Sequence, residues 1–284
     1  RFFSLFTIIS LFTLLSIPFI PRTTGIGFYT VAFIYVAAAV PFYFSGVAVA
    51  LILATRYIHK ANALYASDMT GAAVGSVLFF IMLSITDAIS FVIFLASLGL
   101  ICAYMISWKK VDLLLAVLIV LFAFANHYNR YFKIEWTKVD EGVETAKIER
   151  DVEWEKWTPF SRLTVTPADD NAFGWGISTR MMALYPGYKV SQKNLTIDSA
   201  AATVITARDH PVSGLIHLGY DITNIAHYLF LNSRVGIIGV GGGRDILSAL
   251  HFGQKEVWGI EINGQILHAA TEVYKDYTYP FNEY

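Results

Sequence analysis

A glycine-rich loop between two apolar runs is the feature of this sequence best suited to bind a ligand. The run 235–238 reads as a buried strand, and three glycines follow it at alternate positions, Gly239, Gly241 and Gly243. Because glycine has no Cβ, such a loop turns sharply and lets a bound molecule approach the backbone. Glu261 lies 18 residues after Gly243, where an acid accepts hydrogen bonds from ribose hydroxyls. The spacing predicts nucleoside binding, and by geometry alone it leaves NAD open as the ligand.

The segments around this loop have the patterns needed to position it. Residues 246–252 read as a helix and residues 256–260 as a second strand, so that Glu261 ends a strand, loop, helix, strand unit. The amino terminus of the helix directs unpaired N–H groups toward the loop. Asp245 follows the glycines directly, where it either caps the helix or touches the ligand. A further helix is expected over 264–275.

The sequence before the loop predicts a small antiparallel β unit. Residues 160–166 alternate as in a strand, and further strands are expected at 177–184 and 194–206 after turn chemistry. Residues 221–231 read as a helix capped by Asp221. Four histidines are scattered without metal-ligand spacing, so we predict no metal site. They are His217, His227, His251 and His268.

The first part of the chain has the composition of a membrane protein. The 284 residues are 55% hydrophobic and 15% charged, whereas soluble domains average about 25% charged residues. Residues 1–126 hold only nine charged residues, and the remaining 158 residues hold 34. The net charge of −1 leaves neither part basic enough to indicate nucleic acid as a partner.

The apolar runs define an organisation in three parts. About five membrane-spanning helices are expected within 1–127, because each run is long enough to cross or nearly cross a bilayer. Residues 128–218 are expected to form a linker and the small β domain, and residues 219–284 the start of the nucleoside-binding domain. The five predicted spans cover 2–20, 26–54, 62–85, 88–107 and 111–127.

Two features of the apolar part bear on function. The glycines of Gly71-Ala-Ala-Val-Gly75 form a small-residue face suited to close helix packing. Asp68 lies near the start of the third run, and an acid within a membrane span is a candidate for transport, although near a helix amino terminus it also suits the helix dipole. With five spans, basic residues number five on one side and four on the other, so their distribution does not choose an orientation.

The quoted segments resemble a known family. IIGVGGGRDILSAL followed by VWGIEIN resembles the S-adenosylmethionine-type nucleotide motif of the spermidine synthase (polyamine aminopropyltransferase) superfamily. KWTPFSRLTV and LTIDSAAATVIT resemble the β unit that precedes this motif. PFYFSG and LYASDMTGAAVG resemble the spans of membrane-fused spermidine synthase-like proteins. The similarity covers most of the chain.

The resemblance implies a multi-span α-helical membrane region followed by an α/β Rossmann-like, methyltransferase-type domain with a small amino-terminal antiparallel β unit. The ligand implied is S-adenosylmethionine or its decarboxylated form, as substrate. Loop glycines 239, 241 and 243, with Asp245, would contact it, and Glu261 would bind its ribose. Tyr220 and Asp221 fall near the family's substrate-binding segment.

Two departures from the family pattern concern the acceptor. Soluble members carry an acid within the glycine loop that binds the cationic amine, and Gly242 stands there in this sequence. Arg244 adds a positive charge, which is the wrong sign for a diamine. The family's glutamine is also replaced, since Ser161 and Arg162 occupy that place. These departures argue against a diamine acceptor and leave nucleoside binding intact.

The resemblance also implies two further strands after Glu261, which carry an adenine-contacting acid and a proton-accepting aspartate. Only one helix and a short tail follow Glu261 in this sequence. We therefore expect the chain to be truncated before its catalytic segment, and no catalytic residue is assigned.

Three functions remain open at this stage. The first is a membrane-anchored transferase that moves an aminopropyl group to a small-molecule amine in polyamine biosynthesis. The second is an S-adenosylmethionine-dependent methyltransferase. The third is a membrane transporter or sensor regulated by its nucleoside-binding domain. The expected setting is the inner or plasma membrane, with the lipid bilayer as partner, the soluble domain in the cytoplasm and a homo-oligomer left open.

Overall fold

The structure is a computed structural model that describes residues 8–9, 11–12, 28–55, 58–132, 152–198 and 201–281. Two units make up the chain, with the division between Lys147 and Ile148. Most of the predicted span 2–20 lies outside the described residues, and the four residues described within it are helical. Much of the predicted linker after residue 127 also lies outside them.

Long apolar helices form the described part of the first unit. They begin and end within two residues of the predicted runs. A short 3-10 turn, Ile58–Lys60, precedes the second of them. The helices are α1 Phe28–Thr55, α2 Ala61–Ile85, α3 Ala88–Ser107 and α4 Lys110–Asn129.

Three of these helices, α2, α3 and α4, are long and apolar enough to cross a membrane. Each has at least 20 residues, which at about 1.5 Å per residue spans the bilayer core of about 30 Å. Large apolar side chains remain exposed on α2, including Val74, Val77 and Phe80. A contiguous apolar surface of this kind matches lipid rather than water. The first unit therefore has the features of a membrane-spanning region.

The serine and threonine hydroxyl groups of α2 are satisfied within the helix. Ser67, Thr70, Ser76 and Ser84 each donate to the carbonyl four residues earlier, over 2.8–3.0 Å. Such internal bonds are required where no water is present to accept them. The predicted packing face at Gly71 and Gly75 differs from expectation, because no described residue lies within 4 Å of a Cβ built at either glycine.

The second unit begins with a four-stranded antiparallel sheet in the order β1, β2, β3, β4. The register of β2 against β3 shifts between Val165 and Ala168. Pro167 lies inside this shift, and proline cannot donate to a strand partner, which explains the irregularity. The strands are β1 Trp154–Trp157, β2 Arg162–Asp169, β3 Gln192–Ile197 and β4 Ala201–Thr206.

The strand predicted at 177–184 is wrong, because this segment forms helix α5, Thr179–Leu184. Ser178 caps the helix, since its Oγ accepts a hydrogen bond from the N–H of Arg180 over 3.3 Å. Arginine, methionine, alanine and leucine within the segment favour a helix. The cap and these helix formers account for the helix in place of the predicted strand. The predicted helix over 221–231 is shorter than expected, and it divides into a 3-10 turn, Ile222–Asn224, and a helix that ends at Leu229.

A parallel pair of strands with a helix between them completes the unit. Strand β5 pairs with β6 in parallel, and Ile238 is the partner of Ile260. The helix predicted over 264–275 is only in part an α-helix, because it continues from His268 as a π-helical turn, Ala269–Val273. The elements are α6 Ile216–Gly219, α7 Ile225–Leu229, β5 Arg234–Ile238, α8 Arg244–His251, β6 Glu256–Ile260 and α9 Gly264–His268.

Buried apolar side chains join the antiparallel sheet to the segments after it. Leu163, Leu195 and Ile205 of the sheet pack against Ile266 of α9. A second cluster holds α8 through Leu247. The glycine loop lies against β4, since Gly243 forms a bridge with Ile205 and the N–H of Gly242 donates to the Thr203 hydroxyl.

Candidate functional site

The glycine loop and Glu261 lie at one edge of the parallel strand pair. Strands β5 and β6 end in register, so the segments that follow them leave the sheet side by side. The N–H of Gly241 donates to Oε2 of Glu261 over 3.1 Å, and the N–H of Gly239 donates to the carbonyl of Ile260 over 2.8 Å. The structure thus brings the two predicted halves of the site together.

Three loop glycines are needed for contacts within the chain. A Cβ at Gly242 would lie 2.1 Å from the carbonyl oxygen of Val204, which is backbone and cannot move aside. At Gly241 it would lie 2.8 Å from the Thr203 hydroxyl, and at Gly243 it would meet the ring of Phe281. No local pattern around the loop predicts these partners, because they lie on other elements of the fold.

Gly239 differs from the other glycines of the loop. Its φ is +81°, which favours glycine, yet nothing described lies within 4 Å of a Cβ built there. Ile262, immediately after Glu261, is 85% exposed. The open side of the loop therefore combines the bare backbone of Gly239, the carboxylate of Glu261 and the apolar side chain of Ile262.

The carboxylate of Glu261 retains capacity to accept further hydrogen bonds. Its Oε1 accepts from the N–H of Asn263 over 2.9 Å, and its Oε2 accepts from Gly241. A carboxylate has about four acceptor positions, so the two bonds described leave room for two more. Asn263 is itself buried and donates to Oγ of Ser161 over 3.3 Å, which anchors the end of β6.

Arg244 faces inward, where it pairs with two acids. Its side chain is 4% exposed and that of Asp221 is 0% exposed, and its Nη2 donates to the Asp221 carboxylate. Nη1 donates to Oδ1 of the more exposed Asp245 over 2.8 Å. The expectation that Arg244 adds positive charge to the ligand side is therefore corrected, because its charge is neutralised within the protein.

Asp221 anchors the segment that the sequence assigned to substrate binding. Its carboxylate also accepts from the N–H of Trp175 over 2.8 Å and from the N–H and hydroxyl of Thr223. Burial on its own raises the pKa of Asp221, but hydrogen bonds from Thr223 and the charge of Arg244 outweigh it and hold the pKa below its ordinary value. These contacts place Asp221 against the start of α8 in a structural role, and contact with a substrate stays a prediction.

Tyr220 lies on the other side of the same segment. Its ring stands edge-to-face with that of Tyr185, with 5.9 Å between centroids. A hydrogen bond with the Tyr185 side chain raises the pKa of Tyr220. The phenol is therefore protonated near neutral pH, and it acts as a neutral hydrogen-bonding group.

Beneath the loop lies a buried histidine that sequence reasoning treated as scattered. Nδ1 of His217 lies 2.9 Å from the Tyr188 hydroxyl. Burial, followed by the charge of nearby Arg244, lowers the pKa of His217 to about 4. The imidazole is therefore neutral at physiological pH. Among the described residues no group of three or more histidine, cysteine or acidic side chains is placed to hold a metal ion.

Comparisons with protein-family models, with curated proteins and with solved structures find no match for this chain.

Proposed function

We propose that the second unit binds a nucleoside of the S-adenosylmethionine type and belongs to a membrane-anchored transferase. The observation that carries the proposal is the hydrogen bond of 3.1 Å between Gly241 N–H and Glu261. It holds a carboxylate with unused acceptor positions beside a side-chain-free loop, as recognition of a ribose diol requires. Exposed Ile262 supplies an apolar surface for the base at the same edge.

The charge at the loop favours a sulfonium nucleoside over a dinucleotide. Arg244 is the one basic residue of the loop 239–245, and its guanidinium is paired with Asp221 and Asp245. Because two acids share one guanidinium, Arg244, Asp221 and Asp245 together keep one negative charge, and the carboxylate of Glu261 adds another. A pyrophosphate would be repelled by them, whereas a cationic sulfonium would be attracted.

Aminopropyl transfer is the leading reaction. The nucleophilic nitrogen of an acceptor amine would displace the thioether from the sulfonium-bearing carbon, forming a carbon–nitrogen bond and releasing a proton from the amine. Decarboxylated S-adenosylmethionine lacks the amino-acid carboxylate, so it suits the acidic surroundings of the loop better than the intact molecule does. The resemblance to membrane-fused spermidine synthase-like sequences supports the same reaction, together with a cytoplasmic setting for this unit.

Methyl transfer from intact S-adenosylmethionine is the second candidate, and one contact favours it. The acid that binds the amine in soluble aminopropyltransferases has no counterpart here, because a side chain at Gly242 would overlap the carbonyl of Val204 at 2.1 Å. The acceptor is then free to be something other than a diamine.

Calorimetry with the full chain in detergent micelles tests the proposal. Decarboxylated S-adenosylmethionine, S-adenosylmethionine and NAD would each be titrated, and tighter binding of the first or the second decides between the two transfers. Glu261→Gln keeps the size of the side chain but removes its charge, and we expect it to weaken binding by about 1–3 kcal/mol, or about 5- to 150-fold.

Glu256→Gln is the matched control. Glu256 lies at the other end of β6, where its carboxylate accepts from Trp258 Nε1 over 3.0 Å, so its neutralisation should leave affinity unchanged. Heats indistinguishable from dilution for all three nucleosides would overturn the proposal, as would equal affinities for the wild-type protein and Glu261→Gln.

A further inference from the structure

A cavity of about 430 Å³ lies in the first unit, where the carboxyl ends of α2 and α4 meet the start of α3. Its walls are mostly apolar, and four side chains with polar atoms interrupt them. Ligand-binding cavities commonly have volumes of about 300–1,000 Å³ and this balance of surfaces. The apolar lining includes Ile85, Phe91, Phe94 and Ala123, and the polar side chains of the lining are Thr86, Ser90, His127 and Tyr128.

The carboxylate of Asp87 lies next to Thr86 and His127. Asp87 is 11% exposed, and its Oδ1 caps α3 by accepting from the N–H of Ser90 over 2.9 Å. Its Oδ2 is buried and accepts no hydrogen bond from the described residues. Nδ1 of His127 lies 3.4 Å from this oxygen and 3.0 Å from the Thr86 hydroxyl. The lining residues Thr86 and His127 thus lie beside an acid whose second oxygen accepts no hydrogen bond from the described residues.

The pair formed by Asp87 and His127 is never positively charged. Histidine is charged only when protonated, so Asp87 and His127 together carry a net charge of −1 or 0. No lysine or arginine among the described residues lines the cavity. An uncompensated carboxylate costs several kcal/mol when it is removed from water. A cation at the polar end would therefore be stabilised there, and an anion would be repelled.

The surrounding structure holds the polar end in place. Buried Asn126 donates to Oγ of Ser90 over 2.9 Å, and its Oδ1 accepts from the N–H of Phe132 over 2.8 Å. The first bond joins α4 to α3 near the Asp87 cap, and the second ties the segment after α4 to the same asparagine. The geometry around Asp87 and His127 is therefore supported by a second layer of hydrogen bonds, as in a preorganised site.

We infer that this cavity binds a lipid-soluble primary amine, with its alkyl chain along the apolar wall and its ammonium group at Thr86 and His127, in the field of Asp87. The Thr86 oxygen and a neutral imidazole nitrogen accept hydrogen bonds, which an ammonium donates. The apolar wall supplies the contact that a chain needs. The site is independent of the nucleoside-binding loop, which lies in the other unit.

The test uses the full chain in phosphatidylcholine nanodiscs, with dodecylamine as the probe and empty nanodiscs to subtract partitioning into lipid. Dodecanol has the same chain without the charge. Asp87→Asn keeps the cap and the size of the side chain, and we expect about tenfold weaker binding of dodecylamine, with dodecanol unaffected. Asp112→Asn is the matched control, because it removes an acid of α4 that accepts from Ser107, outside the cavity.

Equal affinity for dodecylamine in the wild-type protein and in Asp87→Asn would overturn the inference, as would equal affinity of the wild-type protein for dodecylamine and dodecanol. If Asp87→Asn does not fold, Thr86→Val provides the same comparison by removing one acceptor at constant size, with several-fold weaker binding expected. Adding phosphatidylethanolamine identifies the source of the amine. Competition indicates a lipid headgroup, and lack of competition indicates a free alkylamine.

Discussion

Replacement of Arg244 by methionine should destabilise the second unit far more than loss of an exposed cation does. The guanidinium is 4% exposed and is paired with fully buried Asp221. Methionine keeps most of the side-chain volume, so the main loss is electrostatic, and it leaves a buried carboxylate without its cation. Removal of one partner of a buried pair costs about 3–5 kcal/mol.

The magnitude can be read from equilibrium unfolding in urea. With a slope of about 2 kcal/mol per molar urea, the expected loss lowers the unfolding midpoint by about 1.5–2.5 M. The full chain in micelles is suitable, because tryptophan fluorescence reports mainly on this unit, which holds four of the six tryptophans.

The control is an exposed pair in the same unit. Lys189 and Asp170 lie 3.5 Å apart with side chains 72% and 60% exposed, so Lys189→Met should cost only about 0–1 kcal/mol. Adding Asp221→Asn to Arg244→Met should recover at least about 0.5 kcal/mol relative to the sum of the single changes, because the unpaired charge is then gone. A midpoint for Arg244→Met no lower than that for Lys189→Met would refute the reasoning.

Two other changes test the loop and the buried histidine. Gly242→Ala should lower the free energy of unfolding by about 1–3 kcal/mol, because its Cβ overlaps the Val204 carbonyl at 2.1 Å. Gly239→Ala should lower it by only about 1–2 kcal/mol, because alanine is strained at the positive φ of this position. Equal losses of nucleoside binding and of stability in the two variants would contradict the packing argument. His217 has a folded pKa of about 4, below its unfolded value, so the native state binds the proton less readily. The free energy of unfolding should therefore fall as the pH drops from about 6.5 to 4, by at most about 3 kcal/mol. In urea titrations, His217→Gln should flatten this dependence on pH. An unchanged dependence would mean that the native histidine is already protonated.

Local patterns account for much of the fold. The apolar runs predicted the bounds of α1 to α4 within two residues, since each run is long enough to form a helix that crosses a bilayer. The glycine loop predicted β5, α8 and β6, because strand period, turn chemistry and helix start lie within one short stretch.

Errors arose where a local pattern was ambiguous. The segment 177–184 is so short that its apolar residues do not distinguish a strand from a helix, and the Ser178 cap favours the helix that forms. The small-residue pattern at Gly71 and Gly75 predicts a packing face, and no described residue lies within 4 Å of a Cβ built at either position. A pattern states which surface is available, and it does not state what covers it.

The sequence by itself determined where helices can cross a bilayer, where the backbone must turn at glycine, and that an acid follows the second strand of the loop unit. Only the tertiary structure decided that Arg244 is paired with Asp221, 23 residues away, and that Gly242 lies against β4, whose Thr203 accepts from it across 39 residues. It also decided that Asp87 meets His127 at one end of a cavity. These relations depend on contacts between residues distant in the chain, and the burial and charge of a side chain follow from such contacts rather than from its neighbours in sequence.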